Sequence, residues 1–565
     1  MTTLLKNAKV VNVFTDTIEE KNVLIEDRKI AGVGSYDTAD NIIDVSGKYI
    51  CPSFIDGHIH IESSFLKPAE FAKACVPHGT GAVVADPHEI ANVCGTAGIE
   101  YMLEASSSLP MHVCFTLPSC VPATGFDESG AELSAKELEP FYSTDRIIGL
   151  AEVMNYPGVI AKDEGVIGKI QRAKENRMII NGHAPMLSGK QLDKYIYAGI
   201  GDDHECSSLE EAEERIRKGQ RVLIREGTSA RNLEALSGLF DEPWNRRCML
   251  VSDDKHPYDL ITNGQIDASI RKAVGLGKNV LACIRMATIQ AAEYFRMRNM
   301  GAVAPGYFAD LLVLDDLESV KISEVYYDGR RVFSDGEMIP VNEPEVSAKL
   351  RKRVYSSFKI KKLTEHDFFV EPQEGDCRVI GVIPGELLTD ERIRKLDFSK
   401  NNGIDTESGI IKLAVCERHN GTRHIGLGYA EGLGITKGAI ASSVSHDSHN
   451  LIIAGANESD MALAGNTVAK MKGGLCVVLD GKVLEKFELP IAGLMSEQDA
   501  QSVCEGNRKV REAAAQLGSA EGVEPFMNLA FISLSVIPDI KMTTHGLVDV
   551  NRQKLIPLFV GNDKK

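Results

Sequence analysis

The chain has 565 residues, 43% hydrophobic and 25% charged, which is the composition of a globular protein with more than one core. A formal charge of −17 gives no net basic face to a nucleic acid, and no stretch reaches the roughly 18 apolar residues of a membrane span. Twelve scattered cysteines with no Cys-x-x-Cys pair, and a start at Met1 to Lys6 with no apolar leader, predict a cytoplasmic protein with reduced thiols.

Residues 1–51 read as short strands and turns: Ala8 to Val13, Asn22 to Ile25 and Lys29 to Gly34, with Gly32 and Gly34 as punctuation. A matching β piece lies at 306–345, where Asp328-Gly329 joins two strand-like runs. Two β pieces on either side of a central segment predict one β-sandwich assembled from both flanks.

Between them, 52–305 alternates apolar strands with helical stretches, which argues for parallel strands. The predicted strands are Phe54 to Ile61, Gly81 to Ala85, His112 to Leu117, Ile147 to Glu152, Met178 to Gly182, Ile200 to Asp203, Arg221 to Arg225 and Cys248 to Val251. Helical patterns include Ser208 to Lys218 and Gln265 to Val274. Eight strands in about 250 residues predict an α/β fold of the (β/α)8, TIM-like barrel type; a doubly wound open sheet is the alternative. From 346 to 565, a basic stretch (Lys349 to Lys362) precedes strand-like runs at Cys377 to Ile383, Gly409 to Cys416 and Gly474 to Leu479, predicting a C-terminal α+β domain.

Chemistry in such a barrel sits at the C-terminal strand ends. The first strand closes on His58 and His60, whose i, i+2 spacing on an extended chain points both rings to one face. The fourth closes on Glu152, the fifth on His183, the sixth on His204 and the eighth on Asp253. Any one of these would be ordinary alone; His204 could be a surface residue and Asp253-Asp254 a turn. Together, four imidazoles and two carboxylates at one mouth predict two divalent cations bridged by Glu152, since a carboxylate offers two oxygens.

The order His-x-His, acid, His, His, Asp resembles the amidohydrolase superfamily. More narrowly, Asp56 to Ser64, Val84 to Val93, Ser252 to Pro257 and Ser443 to Asn450 resemble the bacterial adenine deaminase family, so the likeness spans most of the chain. It implies a metal-bearing barrel flanked by a β-sandwich, and hydrolysis of adenine to hypoxanthine and ammonia by a hydroxide activated on a manganese or iron pair, with zinc as a further alternative. It also implies a homodimer or higher homo-oligomer. In that reading His58, His60, Glu152, His183, His204 and Asp253 hold the metals, and Asp253 carries the proton to the departing amine. Glu62, then His256, are the candidates for protonating a ring nitrogen.

Asp86, His88 and Glu89 read either as a helix start after Pro87 or as substrate-side or auxiliary metal contacts, and Asp254 joins them as a candidate. His446, Asp447 and His449 read as a polar turn, or as part of a domain that covers the mouth and completes the site. Cyclic-amide hydrolases of the superfamily usually bridge their metals with a carboxylated lysine, where this chain has Glu152. The zinc nucleobase deaminases need Pro-Cys-x-x-Cys, which is absent. N6-methyladenine or another 6-substituted purine remains an alternative substrate, because one methyl group shifts discrimination by only about 1–3 kcal/mol.

Overall fold

A computed structural model describes residues 2–518 and 520–561. All eight predicted central stretches are strands: β1 (Phe54–Ile59), β2 (Thr80–Ala85), β3 (His112–Leu117), β4 (Ile147–Val153), β5 (Ile179–Gly182), β6 (Asp202–Asp203), β7 (Arg221–Arg225) and β8 (Cys248–Val251). Strands β1, β2 and β8 are buried along their whole length, as strands of a parallel sheet covered on both faces are.

β1 to β5 form one parallel sheet in chain order, and β6 to β8 a second. Two backbone hydrogen bonds join the sheets: Gly201 N–H donates to Ile180 O, and Asp253 N–H to His58 O, both at 2.9 Å. A parallel bridge also pairs Ile59 with Asp253. Gly182 permits the first junction, because a Cβ there would lie 2.1 Å from the Asp202 carbonyl oxygen.

The two flanking β pieces share one nine-stranded sheet, whose seam pairs Leu311–Leu314 antiparallel with Tyr49–Pro52. Downstream, an eight-stranded sheet runs from Cys377 to Glu488, and a three-stranded sheet from Ile540 to Ile556. This region docks beside β1: Ser496 N–H donates to Phe65 O at 2.8 Å, and Ala500 N–H to Glu70 Oε2 at 3.1 Å. Among the described residues, no helix is long and apolar enough to cross a membrane.

One boundary differs from expectation. The first strand was expected to reach Ile61 but ends at Ile59, and Ile61–Ser64 form a 3-10 turn. His60 stays extended (φ −102°, ψ 103°), so the His58/His60 geometry survives, whereas Glu62 enters the turn and changes direction. The basic stretch after 346 is partly helical, over Ala348–Val354.

A buried guanidinium braces the strand ends. Arg215, fully buried in the helix Leu209–Arg217, donates to Asp203 Oδ2 at 3.0 Å, to Ala184 O at 2.7 Å and to Leu187 O. It thereby holds the loops that carry His183 and His204. Arg215→Met leaves Asp203 buried without its partner and should cost about 3–5 kcal/mol, seen as a lower urea midpoint; an unchanged midpoint contradicts this role.

Candidate metal centre

Glu152, on the fourth strand and buried, presents its two carboxylate oxygens to two different sets of imidazoles. Oε1 lies 3.2 Å from His60 Nε2 and 3.8 Å from His58 Nε2. Oε2 lies 2.5 Å from His183 Nδ1 and 3.3 Å from His204 Nε2. The His58 and His204 rings stack across the gap with centroids 4.4 Å apart.

Local structure orients each ring. His60 Nδ1 bonds to Asp86 O at 3.1 Å, which leaves Nε2 facing the cluster. The Tyr195 hydroxyl donates to Val153 O and accepts from His183 N–H, tying the loop after β5 to β4. Asn232 does the same for the loop after β6, donating to His204 O at 3.1 Å.

Asp253, just after β8, takes a left-handed conformation (φ +58°) that Asp tolerates better than most residues. Its Oδ1 lies 3.6 Å from His58 Nε2 and 3.3 Å from His60 Nε2. Its Oδ2 accepts from Arg225 Nη1 at 2.9 Å, and the same guanidinium grips Glu205, with Nη2 to Oε2 at 2.9 Å. Arg225 and Glu205 were not anticipated from the sequence, although Arg225 ends the seventh predicted strand, where the strand-end rule applies. Glu205 also lies 3.3 Å from His204 Nε2. Burial would raise the Glu205 carboxyl, but Arg225, His183 and His204 hold it well below the ordinary range.

His88, Glu89, Asp254, His446 and Asp447 line another side of the same cavity as Glu152. The helix His88–Cys94 begins at His88, whose N–H donates to Asp86 Oδ1 at 3.0 Å. Glu89 reaches across to the C-terminal region: His446 Nδ1 lies 2.7 Å from Oε1, and His449 Nε2 bonds Oε2. Ser445 N–H donates to His449 Nδ1, which makes Nε2 the donor toward Glu89 in the neutral ring. Asp447 Oδ1 lies 3.9 Å from His88 Nε2, and Asp254 Oδ1 accepts from Ser63 Oγ at 2.5 Å. Glu89, Asp254, His446 and Asp447 line a cavity together with Glu152, His204 and Asp253.

Glu62 and His256 do not line that cavity. Glu62 Oε1 accepts from Ile90 N–H at 3.2 Å, beneath the helix begun by His88, and burial pushes its carboxyl up to about 7. His256 packs on Phe65 with ring centroids 5.4 Å apart, and burial pushes it down to about 4.

The donor set fits divalent cations. Buried ligand groups with ligand atoms within 4.8 Å of one another include His58, Glu152 and His204; His58, His60 and Asp253; His60, Asp86, His88 and Glu152; and Glu89, His446 and His449. His58 Nε2 is buried without a hydrogen-bond partner, and burial, reinforced by His204, favours its neutral form. A neutral imidazole with an unengaged nitrogen is a ligand in waiting.

Residues 49–338 match the amidohydrolase family, and residues 386–554 match the adenine deaminase C-terminal domain. Over 558 residues the chain is 44% identical to adenine deaminase 2 of Carboxydothermus hydrogenoformans, covering 98% of this chain and 96% of that protein. The chain belongs to the adenine deaminase family of amidohydrolases. The adenine deaminase of Clostridium acetobutylicum is 42% identical over 558 residues, with 98% and 97% of the two chains covered. The dihydropyrimidinase of Brevibacillus agri shares the fold of the first part, with a TM-score of 0.50 at 16% identity over 61% of this chain and 97% of that one. In this adenine deaminase family member, the matched C-terminal domain supplies His446, Asp447, Leu387, Phe531, Leu534 and Ile537 to the cavity.

The Glu89–His446 contact gives the domain junction a pH signature. Burial opposes the charge on His446, but the Glu89 carboxylate overrides it and holds the imidazole up to about 9. A histidine held above its ordinary pKa of about 6.5 contributes stability fully below that value and loses it as pH rises through the folded one. The denaturation midpoint should therefore fall between pH 6.5 and pH 9, and Glu89→Gln should flatten part of that decline. Identical slopes in wild type and variant contradict the assignment.

Proposed function

We propose that this chain hydrolyses adenine to hypoxanthine and ammonia at the Glu152 cluster. The observation that carries the reading is 44% identity to an adenine deaminase over 98% of the chain, with the matched C-terminal domain lining the same cavity as Glu152. The organisation proposed is a β unit from 1–51 and 306–345, a barrel over 52–305 and a C-terminal domain over 346–565. Closure of β1 to β8 into a (β/α)8 barrel is supported by the hydrogen bonds at the Ile180–Gly201 and His58–Asp253 junctions. Twelve free cysteines suit action in the reducing cytoplasm.

His58, His60 and Asp253 on one side of Glu152, and His183 and His204 on the other, would hold two cations; mixed imidazole and carboxylate ligation favours manganese or iron. Bound there, such ions supply an acidified water as nucleophile and Lewis-acid polarisation. The chain's own groups do the rest. Asp253, pinned through Oδ2 by Arg225, keeps Oδ1 at the His58/His60 side, where it takes a proton from the attacking water and gives it to the departing amine. Asp447 lines the cavity with its carboxyl pushed up to about 7 by burial, and is placed to protonate a ring nitrogen in preference to Glu62 or His256, which do not line it. Met154, Leu387, Phe531, Leu534 and Ile537 give the flat base an apolar wall and exclude water.

Ammonia release measured on adenine, adenosine, N6-methyladenine and dihydroorotate should show adenine turned over best; adenosine turnover without adenine turnover overturns the reading. Asp253→Asn keeps an oxygen ligand and should retain metal, while kcat falls by about 10²- to 10⁴-fold. An unchanged kcat removes Asp253 from proton transfer.

A further inference from the structure

A second opening, unused by the proposed reaction, shares a helix with the catalytic cavity. It is a groove of about 660 Å³. Tyr258, which caps the turn Asp259–Asn263 downstream of Asp253, forms one side. The helix Ala500–Ala515 packs on that turn and on the helix Pro525–Ile532, and both helices line the groove. Met527 lines the groove and Phe531 the catalytic cavity. Their i, i+4 spacing puts them on one helix face, about 6 Å apart along its axis.

The wall contains one polar group that the fold leaves unused. Asn507 is 3% exposed, and its side chain makes no hydrogen bond to any described residue. A buried amide without a partner is costly, and its adjacent donor and acceptor are free for a ligand. Tyr258, 47% exposed, offers an open aromatic face, and Val523, Pro525 and Met527 are apolar. The charged groups of the wall are already committed. Arg508 is gripped by both oxygens of Glu505, at 2.7 and 2.8 Å, and also pairs with Glu512. Arg511 donates to Glu524 Oε1 at 3.2 Å. Guanidiniums neutralised in this way favour an uncharged ligand over a nucleotide phosphate.

We propose that this groove holds a second purine base, stacked on Tyr258 and read along its edge by Asn507, at the approach to the catalytic cavity. A side-chain amide pairs in two-point fashion with adenine, its oxygen accepting from the 6-amino group while its NH₂ donates to N7. The same amide fits hypoxanthine, accepting from N1–H and donating to O6. Stacking on an aromatic ring suits any base, so the Asn507 amide supplies the selection. The inference rests on the reading of the protein as an adenine hydrolase.

Hypoxanthine is the probe, since it is not consumed. Full-length, manganese-loaded protein dialysed to equilibrium against saturating hypoxanthine should bind one equivalent more than Asn507→Leu or Tyr258→Ala. Tyr258→Phe, which keeps the ring, should match wild type, and far-UV circular dichroism should be the same in all four proteins. If Asn507→Leu unfolds, the two Tyr258 variants decide. An equal count in wild type and in folded Asn507→Leu or Tyr258→Ala overturns the site. So does an extra equivalent taken up as readily by indole, which has the flat ring without the donor–acceptor edge. Adenine turnover in the same wild-type preparation separates the two readings. Turnover with no difference in count overturns this site alone; a one-equivalent difference without turnover overturns the proposed reaction and leaves the site standing.

Discussion

The arrangement depends on one buried carboxylate facing two ways. Glu152 sits on a strand inside a parallel sheet, where an ionised group is costly unless neighbours compensate it. Burial would raise its pKa, yet His183 and His204 hold it well below the ordinary range. Each oxygen is thereby committed to its own imidazoles, His60 and His58 on one side and His183 and His204 on the other. The two cations proposed above rest on that split, and the other polar groups of the cavity are arranged around it.

Support for this carboxylate comes from several distant pieces of chain. Arg225 fixes one oxygen of Asp253 so that the other faces the cluster, and Arg215 braces the loops that bear His183 and His204. The C-terminal domain approaches from the opposite side through Glu89, and brings both an apolar wall and the Asp447 carboxyl. A catalytic mouth finished by a second domain can exclude water once substrate is inside, which strengthens every electrostatic contact there.

Much of this was legible in the sequence because strand ends are local features. His58, His60, Glu152, His183, His204 and Asp253 each follow a short apolar run, and the parallel topology brings those runs together. Glu62 lies outside the cavity lining because a 3-10 turn begins at Ile61, where the apolar pattern reads as continuing strand. Arg225 closes a predicted strand as plainly as Glu152 does, but a guanidinium is no metal ligand, so ligand chemistry does not single it out. The Glu89–His446 contact joins residues 357 positions apart, and no spacing rule reaches that far. Family resemblance singled out both segments, and a C-terminal domain covering the mouth was one of two readings of the second, but the Glu89–His446 pairing itself is not written in either.

The most direct test of the account is anomalous diffraction from crystals of the manganese-loaded protein. The account predicts a manganese peak bonded to each Glu152 oxygen, one shared with His58 and His60 and the other with His183 and His204. A single peak, or peaks that leave either Glu152 oxygen unbound, would contradict it.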